Sequence, residues 1–255
     1  MPSLSPIRDA LKGRHSTRLD DIDLLRTLVE HGTWRVPAET SEGQHRLLVQ
    51  ERAGERWLQI FTDGAALEQH LQAIGHAEDL AWIETTGEWL LSNLADDLTG
   101  LAINPTLPDG IRFLSEHFPS LRSWGRARAV EAALVERRDD EATVSLLTES
   151  AFLIAFIPPD GGGAPQIALA PDPQGRQLAA IFTAPDTARI FTEAAGRALG
   201  RKLTLQSVPG GELFANLGRM PLDGLVFNCL GPSDPVAVTL AFTLAFSAEA
   251  SEATD

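Results

Sequence analysis

Apolar positions along the chain follow short periods that predict alternating helices and strands. Leu67, Leu71 and Ile74 fall four and three residues apart, which places them along one side of a helix. Residues 151–157 are apolar at nearly every position, as in a strand buried on both faces. At residues 236–246 large side chains alternate with Ala or Thr, which predicts an amphipathic strand. The mixture of both periods favours the α+β class.

The remaining elements follow from turn and cap signals. Residues 1–18 show no apolar period, so we expect a frayed arm there. Thr183 is followed by Pro185 and Asp186, a pattern resembling a capping box at a helix start. Other helices are predicted near residues 20–32, 62–75, 87–94, 108–118, 121–138 and 211–217, and other strands near residues 34–37, 46–50, 56–61, 80–84, 101–103, 167–170, 176–182, 202–207 and 225–228.

One order of landmarks occurs twice in the chain. Phe61 and Phe182 lie 121 residues apart, and Gly100 and Gly224 lie 124 apart. A repeat of this length predicts a duplicated domain. We expect two copies of a mixed sheet with helices packed on one face, at residues 19–120 and 143–247, joined by a helical connector at residues 121–142. The structural landmarks are Phe61, Thr62, Gly100 and Asn104 in the first copy and Phe182, Thr183, Gly224 and Asn228 in the second.

Composition restricts the cellular compartment and the classes of partner that we expect. A net charge of −14 repels phosphate, so neither nucleic acid nor an anionic membrane is an expected partner. The single cysteine, Cys229, excludes an intramolecular disulfide and fits a reducing compartment. The apolar runs are too short to span a bilayer as helices. We therefore expect a cytoplasmic protein.

The candidate chemical groups favour structural roles, and we predict no catalytic residues, no metal and no cofactor. The six histidines lack metal-ligand spacing, and residues 151–246 contain none. Cys229 is interpreted as a buried inert thiol rather than a nucleophile, and Asp96-Asp97 as a solvated turn rather than an acid/base pair. Asn104 and Asn228 each close an apolar strand, where asparagine can bond its own backbone and set the next turn.

The repeated motifs resemble the SseB N-terminal domain family. Its pattern runs from a strand through Phe-Thr and a helix to an apolar strand ending in Asn-Pro-Gly. The first copy has Phe61-Thr62 and Asn104-Pro105, but Thr106 replaces the glycine; the second copy has Asn228-Cys229. The resemblance implies a non-enzymatic cytosolic module, in a family linked to serine sensitivity and type III secretion.

The leading hypothesis is a protein-binding or regulatory module serving a secretion or stress-related system. A small-molecule sensor for an amino acid, and a hydrolase or transferase with a site between the copies, stay open as alternatives. Aligning Asn93 with Asn216 places Trp89 opposite Glu212, on the helix side away from Leu90. We therefore predict that Trp89 is exposed and binds a protein partner. The pattern leaves the oligomeric state undetermined.

Overall fold

The fold is α+β and divides into two compact units. The computed structural model describes residues 6–11, 22–41, 44–75, 81–136, 140–159, 161–172, 174–230 and 236–239. The units are Met1–Arg126 and Ala127–Asp255, so the division falls inside the predicted connector. None of the described helices combines the length and the apolar character needed to cross a bilayer.

The first unit alternates helices and strands. It contains α1 (Pro6–Leu11), α2 (Ile22–Glu30), β1 (Trp34–Ser41), β2 (Gln44–Leu47), β3 (Val49–Arg52), β4 (Glu55–Ile60), α3 (Gly64–Ile74), β5 (Trp82–Thr85), α4 (Gly87–Ser92), β6 (Gly100–Ile103), β7 (Ile111–Leu114) and a short 3-10 helix (Ser115–His117).

Helix α5 (Phe118–Val135) crosses the division and leads into the second unit. The elements that follow are α6 (Glu141–Glu149), β8 (Ala151–Ile157), β9 (Gln166–Ile167), β10 (Leu169–Pro171), β11 (Gln177–Phe182), α7 (Pro185–Leu199), β12 (Thr204–Pro209), α8 (Gly210–Leu217), β13 (Gly224–Phe227) and β14 (Val236–Thr239). The rest of the predicted strand at residues 236–246 lies outside the described residues.

Both units have the same strand order. The second has β12-β8-β11-β13-β14, with β9 beside β8 and β10 beside β11. In the first, Arg35 and Phe61 exchange two backbone hydrogen bonds of 2.9 Å that join β1 to β4. Across that bridge the order is β5-β1-β4-β6-β7, with β2 beside β1 and β3 beside β4. A shared strand order is what the predicted duplication requires.

The landmarks occupy equivalent register positions. The parallel pairs among the described strands are β4 with β6 and β11 with β13. Gly100 lies opposite Trp57 in the first pair, and Gly224 lies opposite Leu178 in the second. Phe61 and Phe182 therefore each lie four residues after the position opposite the glycine, as the repeat predicts.

Helices cover both faces of the second sheet. Ile154 of β8 packs in a cluster with Leu213 of α8, whereas the next residue, Ala155, packs in a cluster with Phe191 of α7. Successive strand residues point to opposite faces, so these are two separate layers of core. The expectation of helices on one face is wrong. A strand as uniformly apolar as β8 needs cover on both sides.

Three further elements differ from the sequence prediction. In place of the helix predicted at residues 108–118 the chain forms β7, where Ile111 and Phe113 are buried against β6 while Arg112 and Leu114 are exposed. Part of the expected frayed arm is helix α1, with Ile7 and Leu11 each only 1% exposed. Helix α6 was not predicted; it begins at Asp140, whose carboxylate accepts from the Thr143 amide at 2.8 Å.

Two equivalent glycines allow close helix packing. A Cβ on Gly87, at the start of α4, would lie 2.2 Å from the Leu28 carbonyl oxygen at the end of α2. A Cβ on Gly210, at the start of α8, would lie 1.9 Å from the Leu147 carbonyl oxygen in α6. Both obstacles are backbone atoms, which cannot rotate away. Each unit therefore requires glycine at this helix start.

We expect Gly87→Ala to destabilise the first unit by about 1–3 kcal/mol, because the new methyl group overpacks against backbone. Gly32→Ala is the matched control, since no atom lies within 4 Å of its added Cβ. Tryptophan fluorescence during urea unfolding measures this, because all five tryptophans fall in the first unit. Equal transitions for the two variants would contradict the packing argument.

Candidate functional site

Each unit contains a buried threonine–asparagine pair at the carboxyl ends of its parallel strands. In the first Thr–Asn pair, the Thr62 amide donates to Asn104 Oδ1 at 3.1 Å, and Asn104 Nδ2 donates to Thr62 Oγ1 at 3.1 Å. In the second, the Thr183 amide donates to Asn228 Oδ1 at 3.0 Å, and Asn228 Nδ2 donates to Thr183 Oγ1 at 3.0 Å. The four residues are at most 6% exposed.

Both asparagines adopt the left-handed backbone region. Asn104 has φ 47° and Asn228 has φ 53°. Asparagine tolerates this region better than most residues with a side chain. The turn is as the sequence analysis predicts, but the side-chain partner differs. Each amide bonds the end of the neighbouring strand instead of its own backbone. The arrangement serves the fold, since the pair's polar atoms are turned toward each other.

The two pairs are contacted by different side chains, although each threonine hydroxyl donates to a carboxylate: Thr62 Oγ1 to Asp63 Oδ2 at 3.3 Å in the first unit and Thr183 Oγ1 to Glu131 in the second. In the first unit, His31 Nε2 lies 2.9 Å from the Thr62 carbonyl oxygen. In the second, Thr183 Oγ1 donates to Glu131 Oε1 at 2.7 Å, and Glu131 is 2% exposed. The predicted capping role of Thr183 is therefore wrong. Ala184 is the N-cap of α7, and the Thr183 hydroxyl is used in a contact 52 residues away.

Helix α3 carries a histidine where α7 carries phenylalanine. The His70 ring lies 4.9 Å from the Phe61 ring, and the Phe191 ring lies 5.1 Å from the Phe182 ring. His70 is 5% exposed, and its Nδ1 lies 3.2 Å from Thr106 Oγ1. Burial lowers the pKa of His70. His70 was not among the site residues predicted from the sequence, although the repeat of 121 residues aligns it with Phe191.

The other candidate groups occupy ordinary structural positions. Asp96 and Asp97 are exposed and pair with Arg122 and Arg56 respectively, so they form a solvated turn. Cys229 is buried, and burial raises its pKa to about 11. At neutral pH its thiol is protonated and weakly nucleophilic, as predicted.

The remaining histidines do not extend a site. His15 and His76 lie outside the described residues, His45 is exposed and His117 is partly exposed. Within the described part of the chain, no cluster of three His, Cys, Asp or Glu side chains could hold a metal ion.

Trp89 lies on the outer side of α4 and is 48% exposed. Leu90 and Leu91, on the opposite side of the helix, are each 2% exposed. Its counterpart in the second unit, Glu212, is also exposed. The exposure predicted from helical geometry is confirmed, whereas partner binding by Trp89 stays a prediction.

Helix α4 is held against two other helices. Gly87 brings its start against α2, and Gly125 brings α5 close to its end. A Cβ on Gly125 would lie 2.6 Å from the Ser92 amide nitrogen and 3.0 Å from the Glu88 carbonyl oxygen. Trp89 therefore projects from a helix with fixed packing. Such an anchor loses less conformational entropy on binding than one on a loop.

Comparisons with known proteins add no assignment. No family model matches the chain, and no curated protein matches it. A solved structure of Anabaena Tic22, described with protein transport, is 10% identical and aligns over 81% of this chain and 88% of its own. The TM-score is 0.23, too low to carry an argument about fold or function.

We expect Asn104→Ala to cost about 2–5 kcal/mol of unfolding free energy. The loss of the Asn104 amide costs about 1–3 kcal/mol because the buried Thr62 N–H loses its acceptor. Left-handed backbone adds about 1–2 kcal/mol for alanine. Asn104→Gly should therefore be about 1 kcal/mol less costly than alanine. Urea unfolding of the two variants tests this order, and Asn93→Ala at an exposed position is the control. Equal losses of unfolding free energy in Asn104→Ala and Asn104→Gly would show that the left-handed backbone contributes nothing to the cost.

Protonation of His70 should destabilise the first unit. Because burial lowers its pKa, the folded state favours the neutral ring. The resulting stability is fully present above about pH 6.5, the ordinary histidine pKa, and is lost as pH falls below that value. His70→Phe, which copies the second unit, should flatten the decline in unfolding free energy between about pH 7 and 5.

The measurement is urea unfolding followed by tryptophan fluorescence at several pH values. Some pH dependence should persist in His70→Phe, because burial also lowers the pKa of His31. An unchanged slope in the variant would show that His70 contributes nothing to the acid sensitivity of the first unit.

Proposed function

We propose that this protein is a non-enzymatic, cytoplasmic binding or regulatory module of SseB type, with Trp89 as a contact residue for a protein partner. The observation that carries the proposal is a tryptophan 48% exposed on a helix whose packing is fixed. Tryptophan is enriched among the residues that contribute most to protein–protein binding.

The Thr–Asn pairs are poor candidates for the partner-binding site, which supports placing that site at Trp89. Their side chains are buried and hydrogen-bonded to each other in both units, which is what a structural role requires. The Thr–Asn pairs occur in both units, whereas Trp89 occurs in the first unit and its aligned position in the second unit is Glu212. A residue that differs between otherwise equivalent helices is a better candidate for a specific contact.

The SseB resemblance suggests where such a module acts. Its landmarks, Phe61-Thr62 and Asn104-Pro105, lie at the end of β4 and the end of β6. The family's link to serine sensitivity and type III secretion makes a secretion or stress-related system the proposed setting. The acidic net charge of −14 favours a protein partner over a nucleic acid.

The test is capture of partners from the native host's lysate by the immobilised full chain, with quantitative mass spectrometry. Trp89→Glu should lose a specific partner whose dissociation constant with the wild type can then be measured. We expect a rise of about tenfold or more, the effect of losing a hot-spot tryptophan. Trp89→Phe should retain part of the affinity, since it keeps an aromatic ring.

Leu199→Glu is the matched control, because Leu199 is 49% exposed on α7 of the other unit. It should capture the partner as the wild type does. Thermal unfolding of both variants should match the wild type within about 0.5 kcal/mol, as for surface substitutions. Unchanged capture by Trp89→Glu, or a loss of several kcal/mol in its stability, would refute the proposal.

A further inference from the structure

Strand β12 is an exposed edge of the second sheet. Among the strands that the structure describes, β12 pairs with β8 and stands at the end of the strand order. Thr204, Leu205, Gln206 and Ser207 are all exposed, although successive side chains point to opposite faces. Both faces of this part of β12 are therefore open to solvent, and Leu205 is 40% exposed.

The register identifies the backbone groups on the outer edge. The Gly210 amide donates to the carbonyl oxygen of Ser150, the residue before β8, at 2.7 Å. The backbone N–H and C=O groups of residue 210 therefore point toward β8. Antiparallel hydrogen-bonded pairs recur at every second residue. The backbone N–H and C=O groups of residues 208, 206 and 204 then also point toward β8. Those of Leu205 and Ser207 point outward, away from the sheet. Pro209 is also one of the residues whose backbone groups point outward. Proline has no N–H to donate, so this register costs no hydrogen bond to β8.

The equivalent edge in the first unit carries charge that hinders strand addition. Arg35 lies opposite Glu84 of β5, and their side chains form an ion pair of 2.8 Å. The Arg35 guanidinium also lies 4.2 Å from the centre of the Trp82 ring. Charged side chains on an edge strand are a common protection against pairing with other chains.

The second unit lacks this charged pair. By register, Arg35 and Glu84 correspond to Leu153 and Ser207. No residue of β12 is charged. The two units share their strand order, so the difference is local to this edge. An uncharged edge, open on both faces, can accept a further strand by backbone hydrogen bonding.

Local charge indicates the kind of strand that fits. Arg201 and Lys202 lie three and two residues before Thr204, the first residue of β12, and Arg197 lies in the last turn of α7; all three are exposed. They form a basic segment in a chain of net charge −14. Carboxylates at one end of an added strand would meet these bases, whereas a second copy of this chain carries the same net charge of −14 and is repelled.

We propose that β12 binds an extended segment of a partner protein as an added antiparallel strand, with acidic residues at the segment's carboxyl end beside Arg201 and Lys202. Antiparallel pairing places that end next to the residues preceding β12. Backbone hydrogen bonds to Leu205 and Ser207 supply the attachment, and the charges select the partner.

The probe is an acetylated peptide of alternating threonine and valine that ends in two glutamates, labelled for fluorescence anisotropy with the full chain. We expect saturable binding with a dissociation constant below about 1 mM. A peptide ending in two lysines should bind at least about tenfold more weakly, because favourable charge pairs become repulsive. Methylating alternate backbone amides of the acidic peptide should abolish binding.

Protein variants test the same edge. Ser207→Pro removes an outward N–H and should weaken binding about tenfold or more, while Ser207→Thr keeps that N–H and should bind as the wild type does. Lys202→Glu should reduce the preference for the acidic peptide. Should Ser207→Pro fail to fold by circular dichroism, the methylated peptide and Lys202→Glu still decide the question.

Three results would overturn the proposal: no saturable binding of the acidic peptide, equal binding of the acidic and basic peptides, or unchanged binding after amide methylation. Sedimentation velocity without peptide provides a fourth test. Self-association that Ser207→Pro removes would assign the edge to a second copy instead. The inference is independent of Trp89, so Trp89→Glu should bind the peptide as the wild type does.

Discussion

A buried side-chain amide joins the two parallel strands at the centre of each unit. A parallel pair is linked by a crossover rather than a tight turn, so a direct connection between its carboxyl ends comes from side chains. Asn104 and Asn228 provide it by accepting from the threonine amide that follows the neighbouring strand and donating to the same threonine's hydroxyl. The left-handed backbone at each asparagine turns the chain away from the sheet while directing the side chain back to it. The next helix of the unit begins directly after that threonine, so sheet and helix are positioned together.

The two units share this frame and differ in the side chains around it. His70 and Phe191 occupy the same ring-packing position, yet only the histidine can respond to pH. Arg35 and Glu84 form an ion pair at the β5 edge of the first unit, while Leu153 and Ser207 leave the equivalent β12 edge of the second unit uncharged. Glu131 contacts the second Thr–Asn pair from α5, and His31 contacts the first from the residue after α2. Equivalent positions of the two units therefore carry different chemistry on a shared frame.

The sequence predicted the features that depend on local pattern or on repetition. The recurrence of Phe-Thr, glycine and asparagine predicted the shared register, and helical geometry predicted the exposure of Trp89. It failed where distant contacts decide the outcome. Strand β7 is four residues long, too short for its alternation to outweigh a helical interpretation. The local pattern assigned Thr183 to a helix cap, but its hydroxyl donates to Glu131, 52 residues earlier. Cover on both sheet faces could have been deduced from β8, whose apolar run already implied it.

The Thr–Asn pair also explains why the two copies could drift in length. It closes a chain segment of 42 residues in the first unit and 45 in the second. The entropic cost of closing a flexible segment grows only with the logarithm of its length, so three extra residues add about 0.06 kcal/mol. Insertions between the paired strands are therefore nearly neutral, provided that the threonine and the asparagine still meet. This contact therefore fixes the register at the strand ends while placing little constraint on the length of the segment between them.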